Sequence, residues 1–141
     1  MVRIALAQTD TDLLRCFPVM AELRPHLTRE QFLERIRRQR GAGSHLAFLE
    51  DGDDVRCVAS YRFLENLAWG RFLYVDDLVT AEAARSKGLG QQLLDWLVGQ
   101  ARNQGCDQLH LDSGVQRFRA HRFYLRRGMD ITCHHFALKL R

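Results

Sequence analysis

The sequence contains no apolar run long enough to cross a membrane. No window approaches the roughly 20 consecutive apolar residues that a membrane-spanning helix needs. The start, Met1-Val2-Arg3, also lacks the apolar core of a signal peptide. We therefore expect a soluble protein of the cytoplasm with no membrane partner.

The sequence also lacks the cysteine spacing of a metal site or a disulfide framework. Its four cysteines contain no C-x-x-C pair; they are Cys16, Cys57, Cys106 and Cys133. Four reduced, mostly buried thiols are the simplest interpretation, and none is a good candidate for a catalytic nucleophile. The histidines lack metal-binding spacing with carboxylates, so we expect no metal.

No extreme of composition or charge is present. The chain has 141 residues, of which 46% are hydrophobic and 27% charged, with a formal net charge of +4. This length favours one domain over residues 1–141, large enough to bury a core without cross-links. The mild positive charge suits a polyanionic small molecule and does not by itself indicate a nucleic-acid partner.

The hydrophobic periodicity predicts an α/β fold in which helices flank a central mixed, twisted sheet. Apolar residues recur with helical or strand periods in the order β-α-α-β-β-β-α-β-α-β. Thr28 and Gln31 form a capping box at the start of the second helix. The expected elements are a strand at 2–7, helices near 10–24 and 28–39, strands at 45–50, 56–64 and 72–80, a helix at 88–104, a strand at 108–112, a helix at 116–127 and a closing strand at 129–138.

The most informative stretch, residues 72–105, joins an apolar strand to an amphipathic helix through Arg85-Ser86-Lys87-Gly88-Leu89-Gly90. The first N–H groups of a helix have no intrahelical partner, and the helix dipole is positive there, so a phosphate can bind. Glycines let an anion approach the backbone closely, and Arg85 and Lys87 add positive charge. Gly105 is placed to end the helix in a left-handed cap.

Two better-known phosphate loops do not fit this stretch. The Walker A motif requires lysine after its second glycine, whereas Lys87 precedes Gly88. The dinucleotide-binding pattern G-x-G-x-x-G would require glycine where Leu93 stands. The remaining interpretation is that the loop from Arg85 to Gly90 binds a pyrophosphate in a manner that differs from these two motifs.

The stretch resembles motif A of the GCN5-related N-acetyltransferase (GNAT) family, in which (Arg/Gln)-x-x-Gly-x-(Gly/Ala) lies between a central strand and a helix. Arg85-x-x-Gly88-x-Gly90 matches it. Residues 117–129, RFRAHRFYLRRGM, are similar to a second family segment, Asn-x-x-Ala-x-x-(Phe/Leu)-Tyr-x-x-x-Gly-Phe. The resemblance covers roughly residues 55–138 and implies an acetyl-coenzyme A dependent N-acetyltransferase acting on the primary amine of a small molecule.

The resemblance assigns most of the cofactor contacts to two segments. The pantetheine arm is expected to lie beside the strand residues Leu78, Val79 and Thr80 as a pseudo-strand. The pyrophosphate contacts are expected from the loop and helix start, residues Arg85, Ser86, Lys87, Gly88, Leu89, Gly90 and Gln91.

Acetyl transfer to an amine needs a neutral nucleophile and a proton for the departing thiolate. An alkylamine with a pKa of about 10.4 is protonated at pH 7, and removing its proton there costs about 4.6 kcal/mol. By resemblance, Asp76 is the candidate base, often acting through water, and Asp77 helps to hold the acceptor. Since neighbouring strand residues point to opposite faces, we expect only one of them to face the acceptor. The alternative is that both merely bind a cationic substrate or cap a bulge.

By resemblance, Tyr124 is the general acid that protonates the coenzyme A thiolate. A core tyrosine with a satisfied hydroxyl is the alternative interpretation. The sequence departs from the family pattern at Arg117, which replaces an asparagine that often helps to bind the cofactor. Arg117 would then reach a phosphate, or it belongs to a solvated basic face with Arg119, Arg122, Arg126 and Arg127.

Two other functions remain open at this stage. One is a catalytically silent coenzyme A binding or sensor domain of the same fold. The other, less favoured, is a basic nucleic-acid-binding protein. The acceptor is not named by the sequence. The arginine-rich face of the helix at 28–39 is either a solvated face or, since the resemblance places this segment beside the acceptor site, a face that suits an anionic group on the acceptor. The resemblance also makes a homodimer an expectation, since dimers are common in the family.

Overall fold

The computed structural model describes all residues from 1 to 141. The chain divides into two compact units, residues 1–110 and 111–141. A five-stranded sheet in the order β1-β2-β3-β4-β5 forms the centre of the fold. The strands are β1 (Val2–Leu6), β2 (Ser44–Asp51), β3 (Asp54–Asn66), β4 (Gly70–Thr80) and β5 (Gln108–Leu111).

The strands pair as the sequence pattern predicts for a mixed sheet. β1 to β4 form three successive antiparallel pairs, with Ala47 opposite Ala59 and Val58 opposite Val79 in the middle. β5 begins beside the start of β4, where the Asp107 N–H donates to the Arg71 carbonyl at 2.7 Å. It must therefore run parallel to β4, and the predicted mixed α/β class is confirmed.

Two helices precede the second strand, and both are capped by their sequence. α1 (Asp10–Leu23) and α2 (Arg29–Gly41) each begin with a capping box, Thr9 with Asp12 and Thr28 with Gln31. The second box was predicted. In the first box the Thr9 hydroxyl accepts from the Asp12 N–H, so the cap lies one residue before the predicted helix start at residue 10.

The helix α3 (Leu89–Asn103) buries an apolar stripe made of Leu89, Leu93, Leu94, Leu97 and Ala101. It ends as predicted at Gly105, whose φ is +70°. The Gly105 N–H donates to the Arg102 carbonyl and the Cys106 N–H to the Ala101 carbonyl, which is a Schellman motif.

The helices cover opposite faces of the sheet. Trp96 of α3 packs edge to face on Tyr61 of β3, with ring centroids 6.1 Å apart. Ser60, the neighbour of Tyr61 on β3, faces the other side of the sheet, because successive strand residues alternate. Arg24, at the end of α1, reaches that side, where it and Ser60 both contact Asp77. The fully buried side chains between these layers include Leu13, Phe32, Phe48, Leu49, Leu73, Leu93 and Leu97.

A β-bulge interrupts the pairing of β3 and β4. From Asn66 opposite Gly70 to Tyr61 opposite Val75 the register is regular, but the next pair is Ser60 with Asp77. Asp76 is therefore an extra residue, and the side chains that follow it change face relative to a regular strand.

The second unit contains one helix, α4 (Phe118–Arg126). The predicted closing strand at 129–138 is wrong: residues 129–141 have no regular secondary structure. After Met129 no backbone N–H donates to another residue, so this apolar segment has no partner strand with which to form a ladder. Its larger side chains are exposed, among them Ile131, Phe136, Leu138 and Leu140.

All four cysteines are unbridged, but only Cys16 and Cys57 are buried, fewer than expected. Burial raises the pKa of the Cys16 thiol to about 12. No helix in the structure has both the length and the apolar character needed to cross a membrane.

Candidate active site at the β4 bulge

The bulge presents two carboxylates, and the first is held by an arginine of the neighbouring strand. Asp76 accepts two hydrogen bonds from Arg62, from Nε at 2.7 Å and from Nη2 at 2.8 Å. Such a bidentate pair fixes the carboxylate plane as well as compensating its charge. Asp76 raises the pKa of Arg62 through this hydrogen bond.

The second carboxylate has different partners. The Arg24 guanidinium donates to Asp77 Oδ1 at 2.8 Å, and the buried Ser60 hydroxyl donates to Asp77 Oδ2. Arg24 also reaches the Asp76 backbone carbonyl at 3.5 Å. The end of α1 is thus tied directly to the bulge.

Both carboxylates lie on one face of the sheet, contrary to the expectation that these neighbouring strand residues would point to opposite faces. Their partners Ser60 and Arg62 are two residues apart on β3 and therefore share a face. The bulge is the physical reason, since the extra residue at 76 breaks the alternation that a regular strand would impose.

A cavity of about 250 Å³ opens beside Asp77, between the α1–α2 segment and the sheet. Met20, Leu27, Phe32 and Ile36 supply its apolar wall. Its polar lining consists of Arg24, His26, Arg35, Gln39 and Asp77. Asp76 does not line it, so Asp77 is the carboxylate exposed to a molecule in this cavity.

The edge of β4 that faces away from β3 is uncovered after the bulge. β5 has four residues and starts beside Arg71, so at about 3.3 Å per residue it ends before Asp76. The backbone of Leu78, Val79 and Thr80 therefore has no neighbouring strand on that side. An extended amide-containing molecule could add there as a strand.

The loop from Arg85 to Gly90 ends in the geometry of an anion site. Gly88 has φ of +76° and is the N-cap of α3, with no side-chain cap and no acidic residue in the first turn. The backbone N–H groups of Gly88, Leu89, Gly90 and Gln91 donate to no acceptor in the chain. Ser86 also has a positive φ, and residues 85–88 are exposed.

Tyr124 and Arg117 belong to the second unit. Burial raises the pKa of Tyr124, and the nearby positive charge of Arg117 opposes that rise. The Tyr124 hydroxyl has no hydrogen-bond partner, so it does not match a core tyrosine with a satisfied hydroxyl. Arg117 is the N-cap residue of α4 and is exposed.

Sequence reasoning missed Arg24, Arg62 and Ser60. The sequence did contain a signal for Ser60 and Arg62, because the two predicted strands form a hairpin centred near residue 68, which brings Ser60 and Arg62 opposite the strand that carries the carboxylates. In a register without a bulge, however, Ser60 would face Asp76, so their actual partners depend on the bulge.

Comparison with known proteins identifies the family. The family model "Acetyltransferase (GNAT) family" matches residues 6–129. An uncharacterized N-acetyltransferase of Bacillus subtilis, YhdJ, is 37% identical over 109 residues, covering 77% of each chain. An aminoalkylphosphonate N-acetyltransferase of Salmonella typhimurium is 39% identical over 54 residues, covering 38% of this chain and 35% of the relative.

Solved structures agree on the fold. An aminoglycoside N-acetyltransferase in complex with CoA superposes with a TM-score of 0.88, over 100% of this chain and 95% of that one, at 12% identity. At that identity the likeness concerns the fold. The family model and the B. subtilis relative establish that the chain belongs to the acetyltransferase (GNAT) family and is an acyltransferase.

Proposed function

We propose that the protein transfers the acetyl group of acetyl-coenzyme A to the primary amine of a small molecule. One observation carries this proposal. Asp77 lines the 250 Å³ cavity, and the backbone that directly follows it on β4 has an uncovered edge. An amine in the cavity and a thioester along the edge would meet at the bulge.

The cavity supports a small acceptor. Ligand sites commonly have volumes of about 300–1,000 Å³, and this cavity lies below that range. The relatives with named substrates, an aminoalkylphosphonate and an aminoglycoside N-acetyltransferase, are named for small amines.

The acyl donor would be held by residues that the sequence also predicted. Leu78, Val79 and Thr80 offer backbone groups to the pantetheine amides. The free N–H groups at the start of α3 receive the pyrophosphate, with Arg85, Ser86 and Lys87 around it. Arg117, which the resemblance also assigned to the cofactor, would bind a phosphate.

The reaction proceeds by direct attack. The ammonium first gives up one proton. The neutral amine nitrogen then forms a bond to the thioester carbon and releases a second proton to solvent, the C–S bond breaks, and the thiolate takes a proton from the Tyr124 hydroxyl. Because burial raises the pKa of Tyr124, this hydroxyl is protonated at neutral pH and is available as a donor. Solvent then restores its proton.

Asp77 orients the amine because it faces the cavity, and Asp76 is the base that receives the amine proton, through water. To accept a proton Asp76 must weaken one of its two hydrogen bonds with Arg62. Proton transfer to Asp76 is thus linked to the position of Arg62.

Mass detection of acetylated products from a panel of small primary amines tests the proposal. We expect product with acetyl-coenzyme A in the wild type and much less in Tyr124→Phe. Binding of coenzyme A without any product would instead favour a silent binding domain. The homodimer and the cytoplasmic location stay predictions, tested by light scattering and cell fractionation.

A further inference from the structure

One arginine of α2 differs from the other cations near it. Three arginines in the second half of the helix have acceptors: Arg37 contacts Asp10 at 2.7 Å, Arg38 contacts Glu34 at 3.1 Å, and Arg40 donates to the Ala7 and Gln8 carbonyls. Arg35 has no hydrogen-bond acceptor and no ion-pair partner. It is also the arginine of this group that lines the cavity.

The position of Arg35 on the helix explains why it faces the cavity. Phe32, Arg35, Ile36 and Gln39 follow the i, i+3, i+4, i+7 spacing that places side chains along one helical face. An apolar residue would be usual on such an inward stripe. This stripe instead carries a cation and an amide, and both residues line the cavity together with Asp77.

The charge of the cavity favours a particular kind of guest. Arg24 is committed to Asp77 at 2.8 Å, so the carboxylate charge is already compensated. The guanidinium of Arg35 leaves one positive charge without a counterion. A purely cationic acceptor would meet this charge, whereas a zwitterion would place its anionic group against Arg35 and its ammonium against Asp77.

We propose that the acceptor is a small amine that also bears an acidic group, a phosphonate or a carboxylate, and that Arg35 binds this group with Gln39 and His26 beside it. This inference rests on the proposed function and names its substrate class. Arg35 offers a planar fork of donors, which suits both acidic groups. Met20, Leu27, Phe32 and Ile36 then enclose a short aliphatic chain between the two charged ends.

The experiment measures binding and turnover on the same samples of the full chain. Three amines of similar chain length are compared in the presence of coenzyme A: 3-aminopropylphosphonate, 4-aminobutyrate and 4-amino-1-butanol, the last without an acidic group. Thermal stabilisation gives the apparent Kd of each, and mass detection with acetyl-coenzyme A gives kcat and KM.

The variants are Arg35→Gln and a matched control, Arg38→Gln. Both arginines are exposed on α2, but Arg38 pairs with Glu34 and does not line the cavity. We expect the wild type to bind at least one acid-bearing amine more tightly than the alcohol. Arg35→Gln should abolish this preference, weakening binding of the acid-bearing amine roughly 10- to 100-fold, whereas the alcohol, freed of a like charge, should bind as tightly as before or more tightly. Arg38→Gln should bind all three amines as the wild type does.

The two acidic amines separate phosphonate from carboxylate recognition, and a preference for either supports the inference. Equal binding of the acidic amines and the alcohol by the wild type would overturn the inference. An equal loss of affinity for the acidic amines in Arg38→Gln and Arg35→Gln would overturn it as well. If acid-bearing amines bind through Arg35 but no product forms, the transferase function fails and the binding inference stands. If all three amines are acetylated equally well with and without Arg35, the transferase function stands and the binding inference fails.

Discussion

Arg62 holds Asp76 by two nearly equal hydrogen bonds, from Nε to Oδ2 at 2.7 Å and from Nη2 to Oδ1 at 2.8 Å. Asp77, the next residue, is held by Ser60 and by Arg24 of a different element. Two adjacent carboxylates on one face thus have separate supports, so substitutions can distinguish their roles.

Asp76→Asn should lower kcat by about 10²- to 10⁴-fold at neutral pH, if Asp76 is the base. The difference in kcat between the variant and the wild type should narrow at high pH, because more of the acceptor amine is already neutral there. The solvent has then supplied up to about 4.6 kcal/mol of the deprotonation cost. Rates of product formation for the wild type and the variant from pH 7 to 10 provide the measurement.

Asp77→Asn is the matched neighbour. Since Asp77 lines the cavity, its loss should chiefly raise KM, with kcat nearly intact and no narrowing with pH. If Asp76→Asn shows that same pattern, Asp76 only attracts the acceptor, and the base assignment must be abandoned.

Tyr124→Phe should leave coenzyme A binding almost unchanged and lower kcat by about 10²- to 10⁴-fold, because the ring is kept and only the proton donor is removed. Single-turnover kinetics, in which chemistry limits the rate, are the appropriate measurement. Wild-type single-turnover rates in the variant would rule out the proton-donor role. Phe123→Leu, at the adjacent ring, serves as a packing control.

Gly88→Val should weaken the stabilisation by coenzyme A, which for the wild type is about 2.7 kcal/mol at a ligand concentration 100 times Kd. A Cβ at Gly88 meets no atom of the chain within 4 Å, so it would project into the space where the pyrophosphate approaches. Melting temperatures with and without coenzyme A measure the effect.

Gly105→Val provides a control for backbone strain. Gly105 has φ of +70° against +76° at Gly88, and it lies at the other end of the same helix. A Cβ at Gly105 would likewise meet no atom of the chain within 4 Å. Each substitution should destabilise the protein by about 1–2 kcal/mol or more through left-handed strain. Only Gly88→Val should reduce the coenzyme A shift; an equal reduction in both would refute the loop assignment.

Glu50 should make the fold sensitive to acid. Hydrogen bonds from Arg15 and then Arg3 lower the pKa of Glu50 in the folded protein. Its stabilising contribution is therefore fully present above the unfolded pKa of about 4.3 and is lost as the pH falls through the lower folded pKa. The stability difference between wild type and Glu50→Gln, from urea unfolding, should shrink between pH 5 and pH 3.

Glu34→Gln is the comparison for this prediction, because Glu34 forms an exposed i, i+4 pair with Arg38. Such pairs contribute little, so its effect should be small at both pH values. If the difference in unfolding free energy between wild type and Glu50→Gln does not change with pH, the ion pairs of Glu50 with Arg3 and Arg15 do not stabilise the fold.

The sequence by itself determined the features that depend on a few consecutive residues. The Thr28–Gln31 capping box, the left-handed Gly105 at the end of α3 and the apolar stripe of this helix follow from local backbone geometry and helical period. The same local signals identified the loop with free N–H groups, and the resemblance to the family rested on them.

Only the tertiary structure decided the features that depend on distant partners. The bulge at Asp76 arises from the pairing of β3 with β4. Because of it, Ser60 lies opposite Asp77 and not opposite Asp76. Arg24 reaches Asp77 across 53 positions of the chain, which no local pattern records. The segment 129–138 has a strand-like composition but no partner strand, and a β-strand exists only where a neighbour satisfies its backbone hydrogen bonds.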